Sequence, residues 1–536
     1  MSDAADAFTP RERAILAGRF SDVDGPVFAL TGMPDVVKGA LFARYSRSPK
    51  SLRRLYLDEF YDTATADDGE RAAHDGAARA NALYERVLVE YGDDSVAQLV
   101  GAHVAVEGAS NILTKVLEWG RLMSYLEQST RYIPYHDRPG GQWRYHTPAE
   151  IAGGAHEAAY RAALDACFET YARWFEPLQA HLRERFPKEP GDSNAVYRQS
   201  IRAKACDVLR GLLPAATTAN VGLFGSAQAF EQLLLRLQAH PLAEAREAGA
   251  RILTELRKVI PVFMRRVDQP ERGLAWSAYL RETADRFAEQ APRVAAPPVT
   301  GGPGVALTDF DPEGELKVVA AAMYPTSAAP DTVVLDRARA LSPDERARLL
   351  RAYVGERGNR RHKPGRAFER TFYRFDIVAD YGAFRDLQRH RMLTVEWQPL
   401  SPDLGYDVPG EIHELGAAGD WHAAMDGAST VYRRLREHGL EAVAPYAVPM
   451  AYRIRFAMQM DAREALHMIE LRTSPQGHPA YRWICHEMLR AIRDVAGHRA
   501  IADAMTFAGR EDYFGLERLE AARAAESKRS ALTATE

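Results

Sequence analysis

The sequence predicts an α/β (α+β) fold made of two tandem copies, each a short β-sheet covered by helices. Three observations predict it. The middle of the chain is rich in proline and glycine, the same motifs occur in the same order on both sides, and short strand-like segments lie among longer helical ones. At 536 residues the chain is long enough for two domains that each bury a full core.

The break between the halves lies at residues 291–304, where proline and glycine dominate the sequence APRVAAPPVTGGPG. This composition is typical of a semi-extended linker. The sequence therefore predicts an amino-terminal domain over residues 1–290 and a carboxy-terminal domain over residues 305–536.

The two halves share a series of motifs in one order, which indicates an internal duplication. Each half has a proline, an alanine thirteen residues later, a Leu-Arg or Arg-Leu pair and a final His-Pro. These positions are Pro214, Ala227 and His240 in the first half, and Pro449, Ala462 and His478 in the second. Similar composition alone would not fix that order.

Local periodicity predicts both helices and strands. Residues 243–263 and 480–496 have apolar residues at helical spacing, with arginines and glutamates on the other face. Residues 102–106 and 371–378 alternate or are rich in β-forming residues, which favours strands.

Bulk properties exclude several classes of protein. The net charge of −4 gives no field that would attract nucleic acid or a membrane surface. Three scattered cysteines argue against a disulfide framework or a zinc site. We also find no apolar run of membrane-spanning length, no secretory signal, no P-loop, no dinucleotide fingerprint and no metal-ligand spacing. We expect a cytoplasmic protein without a membrane partner or a metal.

The first polar cluster follows an apolar run and contains Glu127, Gln128, Ser129 and Arg131. A hydroxyl and a guanidinium two residues apart, with a carboxylate just before them, suit a phosphate and a neighbouring sugar or base. Alternatively, Glu127 and Arg131 are four residues apart and could form an ion pair on a helix surface.

The second polar cluster is Arg389-His390-Arg391, which places two permanent charges beside a titratable ring. It could bind a pyrophosphate or stabilise an anionic ring, or it could be a solvated basic turn. Residues 357–370 form a further basic segment. That segment could contact a phosphate-bearing partner or could simply be an exposed charged loop.

Motifs of the first half occur in the order of a known family. They are Ala43 to Ser46, Gly92 to Ser95, Gln98-Leu99, Glu107-Gly108, Trp119-Gly120-Arg121, Ser129 to Tyr132, Arg210 before Leu-Leu-Pro, Arg236 and His240. Over about residues 34–263 the chain therefore resembles the flavin-dependent thymidylate synthases, the thymidylate-synthase-complementing family.

The second half resembles the same family over about residues 317–493. The motifs are Phe368-Glu369-Arg370, the full triplet Arg389-His390-Arg391, Asp461-Ala-Arg463, Leu471-Arg472 and His478. Each half departs from the family mainly where the other agrees with it. The first half has Trp119 and Gly120 in place of the first two triplet residues, whereas the second has Pro399 and Ser401 in place of the serine and arginine.

The resemblance implies one composite site, because family sites lie between the subunits of a homotetramer. We expect Arg389, His390 and Arg391 to face Glu127, Ser129 and Arg131. Two chains would then pair as a homodimer that rebuilds a pseudo-tetramer.

The resemblance also implies a reaction: NADPH reduces FAD, and a one-carbon unit passes from methylene-tetrahydrofolate to C5 of dUMP. The implied catalytic residues are Arg389, Ser129 and Glu127. The implied nucleotide-binding residues are Arg131, Arg210, Arg472 and Gln128. The implied flavin-binding residues are Arg389, His390, Arg391, Arg463, His478, Ser46 and His240.

One departure leaves the activity open. The histidine that follows the family's early glutamate is Leu99 in the first half and Arg370 in the second. Two alternatives therefore remain: a flavin- or nucleotide-binding protein that has lost catalysis, and a nucleic-acid-binding protein that modifies uracil in a polymer. The net charge argues against the second of these.

Overall fold

The computed structural model describes residues 8–61, 96–291, 301–513, 515–516, 519–523 and 525. Its contacts divide the chain into two compact units. Unit 1 comprises Met1–Glu107, Leu122–Leu126 and Val221–Ala295, and unit 2 comprises Gly108–Arg121, Glu127–Asn220 and Ala296–Glu536. Unit 2 thus takes residues from both sequence halves. The predicted domains 1–290 and 305–536 follow the sequence repeat and have other bounds than these units, so they stay a prediction. Most of the predicted linker 291–304 lies outside the described residues.

Unit 1 combines helices with most of a three-stranded sheet of order β1-β3-β2. The strands are β1 Gly101–Ser110, β2 Met123–Glu127 and β3 Thr218–Ser226, whose ends at 108–110, 127 and 218–220 belong to unit 2. The α-helices are Pro10–Ala17, Asp35–Tyr45, Leu52–Leu55, Ala227–Ala239, Ala243–Val259 and Ala275–Gln290.

Unit 2 contains a four-stranded antiparallel sheet of order β4-β5-β7-β6. The strands are β4 Gly304–Phe310, β5 Phe372–Asp380, β6 Leu393–Trp397 and β7 Arg453–Asp461. The α-helices are Asn111–Leu117, Glu157–Arg185, Asn194–Leu209, Gly314–Met323, Asp331–Ala340, Pro343–Val354, Tyr381–Gln388, Gly410–Glu414, Ala418–Glu437, Ala462–Arg472, Pro479–Arg490 and Arg499–Asp503.

The two sheets repeat one topology. In each copy a strand, a helix and a short strand are followed later by a third strand, which pairs between the first two and leads into another helix. The orders β1-β3-β2 and β5-β7-β6 correspond, and β4 is an addition to the second sheet. This topology confirms the predicted α+β class with two tandem copies.

Alternating side chains explain why β5 and β7 lie at the centre of the second sheet. Tyr373, Phe375 and Ile377 of β5 are buried on one face, as are Phe456 and Met458 of β7. Phe375 lies opposite Met458 in the antiparallel register. The period of two therefore directs one face of each strand into the core.

The helix Tyr381–Gln388 begins where β5 ends, and it positions the candidate site. The carboxylate of Asp380 caps it by accepting a 2.9 Å hydrogen bond from the Ala383 amide. Every residue of this helix is buried. The charged side chains that it carries are therefore held inside unit 2.

The predicted elements are confirmed, with changes at their ends. Residues 102–106 lie in β1, and 371–378 largely coincide with β5. The helix that begins at Ala243 ends at Val259, shortly before Pro261 opens a 3₁₀ helix, because proline cannot continue the hydrogen-bond ladder. Among the described residues, no helix combines the length and apolar character needed to cross a bilayer.

Candidate functional site

Glu127 lies at the end of β2, and its carboxylate binds two cations of unit 2. One oxygen accepts a 2.7 Å hydrogen bond from Arg385 Nη2, and the other lies 3.3 Å from Lys115 Nζ. The alternative of a helix-surface pair between Glu127 and Arg131 is wrong, because Glu127 ends a strand and Arg131 binds other groups.

The charged side chains of Lys115, Glu118, Glu127 and Arg385 are almost entirely buried. Lys115 also donates a 2.6 Å hydrogen bond to Glu118. Burial would raise the pKa of Glu127, but Arg385, Lys115 and Arg389 outweigh it and lower that pKa to about 2. For Glu118 burial prevails over Lys115, and its pKa is raised. Glu127 is therefore a permanent anion at neutral pH.

Arg131 is fixed by several partners within unit 2. Its guanidinium forms a two-point pair with Asp207, at 2.8 and 3.1 Å. It also donates to the hydroxyl of Tyr481 and, at 2.9 Å, to the carbonyl of Gln476. Arg131 comes from the first sequence half and Tyr481 from the second, so this contact joins the two halves of the sequence.

The carboxylate of Asp386 lies at the centre of a four-guanidinium cluster, which we define as Arg131, Arg210, Arg389 and Arg472. Arg389 and Arg210 donate hydrogen bonds to it, the latter at 3.1 Å. Burial would raise the pKa of Asp386, but the four guanidinium groups hold it well below its usual range. Two of these arginines come from each half of the sequence.

His390 is buried between a donor and an acceptor, which fixes its tautomer. Arg472 Nε donates to Nε2 at 3.0 Å, so Nδ1 carries the proton and donates to Glu464 at 2.7 Å. Burial, together with Arg472 and Arg389, holds the pKa of His390 well below its usual value. The ring is therefore neutral, with both nitrogens engaged.

His478 is also a buried neutral ring. Its Nδ1 accepts a 3.2 Å hydrogen bond from the Ala480 amide at the start of the helix Pro479–Arg490, so Nε2 is the nitrogen that donates to the Asp207 carbonyl at 3.3 Å. Burial and the neighbouring Arg210 lower its pKa well below the usual value.

A cavity of about 240 Å³ lies beside the four-guanidinium cluster, lined in part by Arg210, His478, Asp380 and Trp421. Arg210 Nη2 and Trp421 Nε1 are buried there without a hydrogen-bond partner among the described residues. Burial raises the pKa of Asp380 to about 6 despite the opposing effect of Arg210. The cavity therefore offers a ligand two donors and a carboxyl that titrates near neutrality.

The other predicted site residues have varied surroundings. Ser129 Oγ accepts a 3.2 Å hydrogen bond from the Arg131 amide, and the Gln128 amide donates to the Asn220 carbonyl at 2.8 Å. Arg463 donates to the Pro364 carbonyl at 3.0 Å.

Three further predicted residues lie at the surface or in the other unit. Arg391 is exposed. Ser46 and His240 belong to unit 1, where Ser46 donates to Ala43 at 2.9 Å and His240 accepts from the Leu242 amide at 3.2 Å.

The altered triplet of the first half, Trp119-Gly120-Arg121, contacts β6 in unit 2. Trp119 donates to the Val395 carbonyl at 3.3 Å and meets Trp397 edge-on, with ring centroids 5.9 Å apart. Arg121 donates to the Thr394 hydroxyl at 2.8 Å. These positions thus serve packing between strand and loop, while Arg389 and His390 of the intact triplet lie at the four-guanidinium cluster.

The basic segment 357–370 is only partly available to a partner. The side chain of Arg357 is buried, pairs with Glu470 at 2.6 Å and donates to the Ala504 carbonyl at 2.6 Å. Its role is therefore structural, which removes one cation from the nucleic-acid interpretation. Arg360 and Arg361 are exposed.

Sequence reasoning missed the acidic partners of the arginines. Asp386 lies three residues before Arg389, and Asp207 lies three before Arg210. That spacing is one helical turn and could have indicated them. Lys115 and Tyr481 gave no such signal.

A further group, His390, Glu464 and His467, has ligand atoms within 4.8 Å of one another, a spacing that could hold a metal ion.

Comparisons with known proteins identify the family to which both halves of the chain are similar. The sequence pattern of the family described as thymidylate synthase complementing protein matches residues 40–262 and 306–497, one stretch in each half. A UPF0159 protein of Chlamydia muridarum is 38% identical over 90% of this chain and 93% of its own length.

Two more distant relatives extend the comparison. A UPF0159 protein of Thermoplasma acidophilum is 33% identical over 89% of this chain and 96% of its own. A flavin-dependent thymidylate synthase of a Mycobacterium strain is 31% identical over 34% of this chain and 68% of its own.

Proposed function

This chain belongs to the thymidylate synthase complementing protein family, and from that premise we propose that it is a flavin-dependent enzyme that methylates a pyrimidine nucleotide. The substrate is dUMP or a related nucleotide, NADPH is the reductant, and methylene-tetrahydrofolate is the one-carbon donor. Similarity to proteins named flavin-dependent thymidylate synthase supports this assignment.

The observation that supports the proposal most is the meeting of residues from both sequence copies at Asp386. Arg131 and Arg210 come from the first copy, and Arg389 and Arg472 come from the second. The copies kept complementary parts of the family motifs. A shared site explains why each copy could lose the other parts.

The cations of this region suit FAD, whose reduced ring is anionic. Arg389 Nε and Arg385 Nε are buried without hydrogen-bond partners among the described residues, so two donors remain for a ligand. Arg389, Arg391 and Arg463 would hold the cofactor. His390 would contribute by positioning Arg472, because both of its ring nitrogens are engaged. Bound FAD supplies the hydride chemistry of the reaction.

Glu127, Asp380 and Arg210 would contact the substrate and transfer its proton. Glu127 stays ionised, so it accepts hydrogen bonds from a ligand and does not donate a proton. Substitution at C5 of a pyrimidine releases a proton. Asp380 lines the cavity, and its pKa of about 6 suits it to accept that proton near neutral pH. Arg210 Nη2 lies 3.8 Å from the Asp380 carboxylate and has no hydrogen-bond partner among the described residues, so it can act as a donor beside it.

Anaerobic flavin spectroscopy tests the proposal. Purified protein loaded with FAD should be reduced by NADPH and reoxidised only when dUMP and methylene-tetrahydrofolate are added, with a methylated pyrimidine as product. Arg391→Ala should weaken FAD binding. Arg121→Ala is the matched control, because Arg121 holds the same triplet position in the other copy and contacts Thr394. A chain that takes up no FAD contradicts the proposal.

A second candidate is a flavin- or nucleotide-binding protein without turnover. The family histidine is replaced by Leu99, a residue that is 55% exposed, and by Arg370. Under this alternative FAD and dUMP bind, but dUMP and methylene-tetrahydrofolate do not accelerate reoxidation of the reduced flavin. The same spectroscopic experiment therefore separates the two candidates.

The proposal includes pairing of two chains into a homodimer, because the family site pattern is built between subunits. Sedimentation equilibrium should give twice the 59.7 kDa mass of the chain. A monomer that retains full turnover would contradict this part.

A further inference from the structure

The four-guanidinium cluster already holds a carboxylate of its own. Asp386 accepts hydrogen bonds from Arg389 and Arg210, and it is close enough to Arg131 and Arg472 for each to stabilise its charge. Three of them, Arg131, Arg210 and Arg472, are the arginines expected to bind the nucleotide. The phosphate-binding capacity of the cluster is therefore largely taken up by a side chain.

The second acidic partner strengthens this effect. Asp207 occupies two donors of Arg131, while Tyr481 and the Gln476 carbonyl occupy others. A guanidinium has five N–H donors, so Arg131 retains little capacity for a further acceptor. A phosphate that entered here would have to replace bonds to the carboxylates.

The negative charge of Asp386 opposes the entry of a phosphate into the cluster. Asp386 is 7% exposed, and it remains ionised at neutral pH because its pKa lies well below the usual range. A dianionic phosphate beside a buried carboxylate meets like-charge repulsion, which is strong where water is scarce. An uncharged hydroxyl meets no such repulsion and could still use the buried Arg210 Nη2 as a donor.

We propose that Asp386 is a specificity-determining residue that discriminates against a dianionic phosphate in the four-guanidinium cluster. The pyrimidine ligand then binds through its base and sugar and gains little affinity from a 5′-phosphate. This inference rests on the proposed function in one respect, namely that the ligand is a pyrimidine nucleoside or nucleotide. It implies that selection among pyrimidine ligands depends on the base and sugar and not on the 5′-phosphate.

Calorimetry on the full chain tests the inference with deoxyuridine, dUMP and inorganic phosphate as probes. The natural chain should bind dUMP within about threefold of deoxyuridine, and Asp386→Asn should shift that ratio by about tenfold in favour of dUMP. Inorganic phosphate should bind Asp386→Asn more tightly than the natural chain, also by about tenfold.

Asp407→Asn is the matched control, since Asp407 lines the same cavity but binds Arg453. It should leave the ratio unchanged. A natural chain that prefers dUMP over deoxyuridine by more than about tenfold overturns the inference, and this result needs no variant to fold.

The titration with inorganic phosphate separates a failure of the proposed function from a failure of the inference about Asp386. If neither pyrimidine binds, the proposed function fails, and phosphate alone decides the role of Asp386. Equal phosphate affinity of Asp386→Asn and the natural chain then overturns the inference, whereas tighter binding to the variant supports it.

Discussion

Arg385 donates a 2.7 Å hydrogen bond to Glu127, although 258 positions separate the two residues in the chain. Both side chains are buried, with exposures of 6% and 4%. A buried pair of this kind must be satisfied on both sides, because a single charge without its partner is costly in a protein interior. The pair therefore ties the two sequence copies together at the candidate site.

The first prediction concerns this pair. Glu127→Gln leaves Arg385 and Lys115 short of a negative charge, and we predict a loss of about 3–5 kcal/mol in the free energy of unfolding. Urea denaturation at neutral pH measures it. The double variant Glu127→Gln/Arg385→Gln should be more stable than Glu127→Gln alone. Additive losses would contradict the pairing.

The second prediction concerns the pH below which the Glu127 carboxylate no longer stabilises the fold. The folded pKa of Glu127, about 2, lies below its unfolded value of about 4.3. Its stabilising contribution is therefore complete above the unfolded pKa and is lost as pH falls towards 2. The stability of Glu127→Gln relative to the natural chain should thus recover in that window, which denaturation at a series of pH values would show.

The third prediction concerns the neutral histidine His390. Its folded pKa lies well below its unfolded value of about 6.5, so the unfolded chain binds the proton first. Stability should fall as pH drops below about 6.5. His390→Gln should reduce that dependence, whereas His413→Gln, at an exposed residue, should not. Identical slopes for both variants would contradict the buried neutral ring.

The fourth prediction uses Asp380, whose folded pKa of about 6 lies above its unfolded value of about 3.9. Its contribution to stability is complete below the unfolded pKa and is lost as pH rises through 6. Asp380→Asn should therefore gain stability relative to the natural chain between pH 4 and pH 8. Turnover, by contrast, should fall at all pH values if this carboxyl accepts the proton.

The fifth prediction tests packing around the cavity. A Cβ on Gly211 would lie 2.8 Å from the Trp421 ring, so Gly211→Ala should cost about 1–3 kcal/mol of stability by overpacking. Gly410 lines the same cavity, and a Cβ there meets nothing within 4 Å. Gly410→Ala should therefore have little effect in the same denaturation measurement, and an equal loss would contradict the packing.

Sequence patterns were sufficient for the fold, whereas the roles of the site residues stay a prediction. The repeated motifs ending at His240 and His478 predicted two copies of one topology, because motif order survives divergence. The intact triplet at Arg389 and the cluster at Glu127 were recognised for the same reason. Arg389 lies in the connection between the helix Tyr381–Gln388 and β6, and Glu127 lies at the end of β2.

The partners of these residues could not be predicted, because they depend on three-dimensional contacts. Glu127 and Arg131 are four residues apart, yet they bind Arg385 and Asp207, which are distant in sequence. Nothing in the local sequence distinguishes Tyr481 from other tyrosines. Arg357 looked like a surface cation but is buried against Glu470.

A binding cycle across the two sequence copies tests whether their residues form one shared site. FAD-loaded chains carrying Arg131→Lys, Arg389→Lys or both would be titrated with deoxyuridine and dUMP. With a shared site, each single variant should weaken binding by about tenfold, and the double variant should lose less than the sum, because both guanidiniums act on Asp386. Unchanged affinity in either single variant, or strictly additive losses, would contradict a shared site.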